Sequence, residues 1–448
     1  MKVLHVIPSL SPKDGGPSFA LPLIARGLVQ MDLQVDVVAT AAEREIAHFT
    51  NQPNNSEYAP PVMCDGVNYF YFRRQTDFYK ISFSLAKWLS NHVRGYDLVH
   101  IHALFSYSSY AAAHLARKNG VPYIVRPLGV LNRWGLQNRR PLLKRVSLRL
   151  IEEKIIRNAA AIHYTSQQER LEAEETVGKK ESAVIPLAVE LPKAAEWSGP
   201  EKFFERFPQA RDREVILFLS RLNQKKGLDL LLRAFAEMTA DARRDAEDKP
   251  LAAMNSNAAV MAGLRPSSFT GQFTKTPGFG QLADVNRLQP LLAIVGDGEK
   301  EFVCQLRKLA DELGIANDIV WAGFLGGDDK LSAMSAASLF VLPSYSENFG
   351  IAPVEAMAAG LPAVISDQVG ISAAVREHDA GLVVPCEIGP LSLAMRRLLD
   401  DPLLRSQVSG NARRLVNEQF SLEAMNNALV KFYESVLSGG NSSDTAKN

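Results

Sequence analysis

Two glutamates, Glu347 and Glu355, stand eight positions apart in Leu342–Asp367, LPSYSENFGIAPVEAMAAGLPAVISD. An apolar run ends at Leu342. A loop then carries Glu347, Phe349 and Gly350, and Pro353 is expected to open a helix that holds Glu355. Proline suits a first helical turn because its missing N–H has no partner to lose there. The unpaired N–H groups of a helix start, with the helix dipole behind them, form an anion site. Gly350 lets backbone come close to a ligand. The two carboxylates can then meet different parts of one extended ligand.

The opposite charges come from Leu219-Ser220-Arg221-Leu222-Asn223-Gln224-Lys225-Lys226-Gly227, which follows another apolar run. Cations on a strand-to-helix loop suit a diphosphate: Arg221 can grip two oxygens through its fork, and Lys226 acts as a point charge. Near the N-terminus, Asp14-Gly15-Gly16-Pro17 reads as a tight turn that offers backbone N–H groups. It is not the GxGxxG of dinucleotide binding, which counts against a dehydrogenase.

Short apolar runs alternating with helical spacing must position these loops. In the first half the expected strands are Val3–Ile7, Val35–Thr40, Leu98–Ile101, Tyr123–Val125, Ala161–Tyr164 and Val184–Ile185. The expected helices are Ser18–Gln30, Ser82–Val93, Ser109–Lys118 and Arg139–Arg157. Pro186, Pro192, Gly199 and Pro200 mark a linker. The alternation restarts at Val215–Leu219 and continues through strands Leu291–Val295, Ile319–Trp321, Leu339–Leu342 and Ala363–Ile365. Helices Leu228–Met238, Glu299–Leu313, Pro353–Ala359 and Leu391–Leu399 lie between or beyond them. This pattern predicts an α/β chain of two doubly wound, Rossmann-like domains, with ligands beyond the carboxyl ends of the strands. The expected division is residues 1–190, residues 191–420, a helix over 421–438 returning to the first domain, and a disordered tail over 439–448. Residues 240–290 are polar, glycine-bearing and aperiodic, and read as a disordered insertion.

At 448 residues the chain exceeds one ordinary core, which also argues for two domains. A formal net charge of +1 gives no global attraction to nucleic acid, so any charged partner must meet a local patch. Cys64, Cys304 and Cys386 are far apart and form neither a disulfide framework nor a CxxC metal signature. With no signal peptide and no apolar run of about 18 residues, a cytoplasmic protein is expected.

Together these segments resemble the retaining glycosyltransferases of family 4, also called glycosyl transferases group 1, which have the GT-B fold. The resemblance covers most of the chain. It rests on E-x7-E (Glu347, Glu355), R-L-x-x-x-K-G (Arg221 to Gly227), Gly296-Asp297-Gly298 after a strand, the Gly15-Gly16 loop and the His100-Ile101-His102 strand end. It implies two domains facing across a cleft and transfer of a sugar from a nucleotide-diphosphate donor, with no cofactor and no metal. Arg221 and Lys226 would hold the diphosphate, with Gly15 and Gly16 adding backbone contacts. Glu355 would hold the ribose hydroxyls. Glu347 would contact the donor sugar, with Phe349, Gly350 and Ile351 presenting backbone N–H groups. Gly296, Gly298 and Phe324 would line the donor site, Phe324 near the base. His102 would face the acceptor. Arg126-Pro127-Leu128-Gly129 departs from the Pro-His-Gly of many relatives, leaving Arg126 a polar role.

The expected acceptor is a glycan or lipid-linked sugar in surface or extracellular polysaccharide assembly. A GT-B sugar-nucleotide epimerase and a catalytically degenerate nucleotide-sugar binder stand as alternatives. In residues 133–157, Arg139, Arg140, Lys144, Arg145, Arg149, Lys154 and Arg157 interleave with Leu142, Leu143, Val146, Leu150 and Ile155. Such a basic amphipathic helix either packs with one solvated face or lies on the anionic inner face of a membrane.

Overall fold

The computed structural model describes residues 1–11, 16–42, 60–132, 141–190, 199–240 and 289–441. Residues 241–288 of the expected insertion, Gly15, Arg139 and Arg140 of the basic segment, Pro192 of the linker and residues 442–448 of the tail fall outside the described residues.

The chain begins with β1 (Lys2–Ile7), α1 (Gly16–Gln30), β2 (Gln34–Ala41), β3 (Val62–Cys64) and β4 (Val67–Arg73). It continues through α2 (Phe83–His92), β5 (Leu98–His102), α3 (Tyr107–Lys118) and β6 (Tyr123–Arg126). After α4 (Pro141–Ser147) and α5 (Glu153–Asn158) come β7 (Ala161–Tyr164), α6 (Gln167–Val177) and β8 (Ser182–Val184). These strands form one sheet in the order β3-β4-β2-β1-β5-β6-β7-β8, parallel except for the edge strand β3.

The β3–β4 hairpin was not expected from the apolar runs. Its signal was nonetheless present: Asp65-Gly66 occupies the turn with φ of 49° and 78°, the conformation Asp-Gly favours between paired strands. The helix expected over Arg139–Arg157 is interrupted by a π-helical turn at Leu148–Glu152. A π turn holds more residues than an α turn and so shifts the phase of the faces. Beyond it Ile155 and Ile156 are buried, whereas Leu142, Leu143, Val146 and Leu150 before and within it are 75%, 44%, 56% and 59% exposed.

The second domain contains α7 (Glu201–Arg206), β9 (Glu214–Leu219), α8 (228–240), β10 (Pro290–Val295), α9 (Lys300–Glu312), β11 (Ile319–Gly323), α10 (Gly327–Ala336) and β12 (Leu339–Leu342). It ends with α11 (Ile351–Ala358), β13 (Ala363–Ser366), α12 (Ser372–Glu377), β14 (Gly381–Val384), α13 (Ile388–Asp400) and α14 (Pro402–Gln419). Its six parallel strands run β11-β10-β9-β12-β13-β14. Both sheets reverse direction of strand addition at their centre, next to β1 and β5 in the first and β9 and β12 in the second. Such switch points leave a crevice beyond the carboxyl ends of the strands.

The last helix, α15 (Leu422–Asn441), returns to the first domain. Asn426 packs against Gly27, where an added Cβ would lie 1.8 Å from the Asn426 amide nitrogen. The Ala188 N–H points at the Met425 sulfur at 3.3 Å, and the Tyr433 hydroxyl hydrogen-bonds His100 Nδ1 at 2.8 Å. No helix among the described residues is long and apolar enough to cross a membrane.

Candidate functional site

The loop after β9 and the loop after β12 meet at the second domain's switch point. A short 3-10 turn, Gln224–Lys226, ends at Gly227, whose φ is 67°. A Cβ there would lie 2.0 Å from the Pro343 carbonyl oxygen, so only glycine lets the two loops approach this closely. The Tyr345 N–H donates to the Lys225 carbonyl at 2.8 Å and ties the loops together. The result is a direct ion pair between Lys226 and Glu347, with the lysine 8% exposed overall. Glu347 is fixed through its backbone: its N–H donates to Gln368 O at 3.0 Å, and its carbonyl accepts from Gly370 N–H at 2.9 Å. Arg221 on the same loop as Lys226 is exposed, with no ion pair among the described residues.

Gly296 and Gly298 serve packing. With φ of 140°, Gly296 lies against Ser220, and an added Cβ would meet the Ser220 carbonyl at 1.8 Å. A Cβ on Gly298 would lie 2.2 Å from Leu222 O, while the Leu222 N–H donates to Asp297 O at 2.8 Å. The Gly-Asp-Gly loop thus forms the floor on which the Arg221 loop rests.

Helix α11 starts at Ile351, two residues earlier than Pro353 suggested, with Gly350 as its cap at φ 100°. Pro353 is the third residue of the helix. A side chain at Gly350 would press on Val369, whose Cγ1 lies 2.8 Å from the added Cβ. The Phe349 ring is turned inward, 3% exposed and edge-on to Phe420 at 5.7 Å. The Phe324 ring is 73% exposed beside Gly326. Glu355 Oε1 accepts from Lys330 Nζ at 2.8 Å. Sequence reading missed Lys330, and no motif marks it: it is one charge in Asp328-Asp329-Lys330, and its partner lies on a different helix.

The first domain closes over this site. A Cβ on Gly16, at the start of α1, would stand 3.4 Å from the Ile351 side chain, so the N-terminal ends of α1 and α11 face each other. Asn348, between Glu347 and Phe349, crosses to the first domain and donates to Thr165 Oγ1 at 2.9 Å; its carbonyl accepts from Ser166 Oγ at 3.0 Å. Glu169 backs this contact by accepting from Thr165 N–H at 2.7 Å and Gly129 N–H at 2.6 Å.

His102 does not line an open face. It is 1% exposed, its Nε2 hydrogen-bonded to His5 Nδ1 at 2.9 Å, with Arg126 Nη1 3.5 Å from its Nδ1. Alternate residues of a strand share a face. His100 and His102 therefore project together, beside His5 of β1 and His163 of β7 and beneath Tyr433. His163 Nδ1 lies 3.3 Å from His100 Nε2, and its Nε2 is 3.0 Å from Ile185 O. Burial, aided by the Arg126 charge, lowers His5 and His163 to about 3 and holds His100 and His102 well below the usual histidine range. The cluster is therefore neutral at neutral pH. Ring nitrogens of His5, His100 and His102 lie within 4.8 Å of one another, as metal ligands do, but the neighbouring Arg126 charge opposes a cation there.

A cavity of about 700 Å³ lies elsewhere, at the domain junction, lined among others by Glu190, Met334, Leu361 and Arg413. Its lining includes none of Arg221, Lys226, Glu347 and Glu355.

Residues 279–415 match the family model Glycosyl transferases group 1, and residues 15–188 match Glycosyl transferase 4-like domain. The chain is similar to the alpha-D-kanosaminyltransferase of Streptomyces kanamyceticus, 25% identical over 337 residues and 72% of each chain. It is also similar to the lipopolysaccharide core biosynthesis glycosyltransferase LpsD of Rhizobium meliloti, 32% identical over 37% of this chain and 48% of that one. Most of the curated relatives are matched over about half of their own length or less. Among solved structures, Anabaena HepE in complex with UDP-glucose superposes with a TM-score of 0.67 at 19% identity, over 97% of this chain and 100% of that chain. The shared fold is GT-B.

Proposed function

Because the chain belongs to the GT4-type, group 1 glycosyltransferases, we propose that its cleft binds a nucleotide-diphosphate sugar and transfers the sugar with retention of configuration. The observation that carries this reading is the Lys226–Glu347 pair at the switch point, opposite the start of α1. Lys226, Arg221 and the N-terminus of α11 supply positive charge for the departing diphosphate. That charge takes the place a metal ion would fill, so the reaction is proposed to be metal-independent. The bond from the anomeric carbon to the diphosphate oxygen breaks, the acceptor oxygen bonds to that carbon, and the acceptor proton passes to a phosphate oxygen. Glu347 orients the sugar and Glu355 the ribose.

The proposed acceptor is a glycan or lipid-linked sugar of surface polysaccharide assembly, in keeping with the similarity to a lipopolysaccharide core enzyme. Exposed Leu142, Leu143, Val146 and Leu150, interleaved with exposed Arg145, Arg149 and Lys154, support docking on an anionic membrane. A thermal-shift screen of UDP-, GDP- and ADP-sugars tests the donor reading. Selective stabilisation by one of them is expected, and no shift with any would remove it. Transfer that survives a chelator is the matching test of metal independence.

A further inference from the structure

Glu355 has a fixed partner. Lys330, on α10, reaches across to α11 and donates to Glu355 Oε1 at 2.8 Å, with the two side chains 23% and 18% exposed. The neighbouring acids point the other way. Asp328 and Asp329 pair with Lys202 Nζ at 3.3 and 2.6 Å, and Arg206 lies 3.6 Å from Asp329. The Phe203 N–H donates to Ser332 Oγ at 2.9 Å, with Ser332 fully buried. Helix α7 thus anchors α10 on both sides of Lys330 and fixes the lysine backbone.

We propose that Lys330 is a positioning residue that sets the plane of the Glu355 carboxylate so that it reads a vicinal ribose diol. The proposal rests on the donor reading above. A carboxylate has about four lone-pair sites. Lys330 occupies one on Oε1 and stops the group rotating, which leaves Oε2 and the remaining site to accept from the 2′- and 3′-hydroxyls together. Without the lysine the carboxylate swings, one hydroxyl is met at a time, and the site loses its discrimination against a missing 2′-hydroxyl. A site built to bond a hydroxyl rejects the analogue that lacks it.

The test is calorimetric. Dissociation constants are measured for UDP, GDP and ADP, each beside its 2′-deoxy counterpart, on the full chain and on Lys330→Met, Lys330→Arg and Glu355→Ala. The ratio of deoxy to ribo constants is the readout, because the fraction of folded protein cancels from it. For the nucleotide that binds, Lys330→Met is expected to reduce the ratio about fivefold or more, approaching Glu355→Ala. Lys330→Arg should keep it, since a guanidinium can also donate to Glu355. If Glu355→Ala lowers the ratio and Lys330→Met leaves it unchanged, Lys330 has no such role. An equal loss of affinity for both nucleotides in Lys330→Met also overturns the proposal. If Glu355→Ala leaves the ratio unchanged, or no nucleoside diphosphate binds, the donor reading itself fails.

Discussion

Asn348 lies against Gly129, and no side chain can be added between them. With φ at 73°, a Cβ on Gly129 would stand 2.6 Å from Asn348 Oδ1. Asn348 belongs to the acidic loop of one domain and Gly129 to the loop after β6 of the other, so this contact sets how closely the halves approach. Gly129→Ala should lower both the melting temperature and turnover. Adding Asn348→Gly should recover part of the turnover by removing the clash, with the positive-φ strain remaining. Equal activity in the single and double variants would mean that the contact does not govern closure.

Removing either member of the Lys226–Glu347 pair should cut kcat/KM by about 30-fold or more, roughly 2 kcal/mol of transition-state stabilisation. Circular dichroism of Lys226→Ala and Glu347→Ala should stay unchanged, because the loops are also held by the Tyr345 and Gly370 backbone bonds. Full turnover in both variants would remove the assigned chemistry.

The histidine cluster makes stability pH-dependent in one direction. His5 and His163 are held near 3 in the folded protein against 6.5 when exposed. Between these values the unfolded chain binds more protons than the folded one, so stability rises with pH. It is fully present above about pH 6.5 and lost as pH falls, at up to about 1.4 kcal/mol per pH unit for each buried neutral histidine. Melting temperatures from pH 7.5 to 4.5 should fall steeply, and less steeply in His163→Asn. A flat profile in the wild-type chain would contradict neutral burial.

The exposed apolar residues before and within the π turn give a separate test. Replacing Leu142, Val146 and Leu150 by Ser, or Arg145 and Arg149 by Glu, should reduce co-sedimentation with anionic vesicles and leave transfer to a soluble acceptor intact. Co-sedimentation unaffected by both sets would remove the membrane contact.

Much of this was readable from the chain. The alternation of apolar runs and helical spacing placed most core strands, because burial on both faces of a parallel strand leaves a local trace. Arg221, Lys226, Glu347 and Glu355 stood out as candidates, since each lies in or just beyond a short stretch whose turn chemistry suits a ligand loop. Less was legible at the edges. The β3–β4 hairpin pairs a strand of only three residues, Val62–Cys64, with one that is aromatic in place of aliphatic, Val67–Arg73, and Pro353 misplaced the start of α11, where a positive-φ glycine is the true cap.

By itself the sequence determined two doubly wound halves and the loops that carry charge, because these follow from contacts between near neighbours. Only the tertiary structure decided which charges meet. Lys330 finds Glu355 across 25 residues, Asn348 finds Thr165 across 183, and Tyr433 finds His100 across 333. The same packing closed the histidine strand end beneath the last helix, which is why His102 is buried. The physical reason is that a side chain's partner is set by how sheets and helices stack, and local composition carries no record of that stacking.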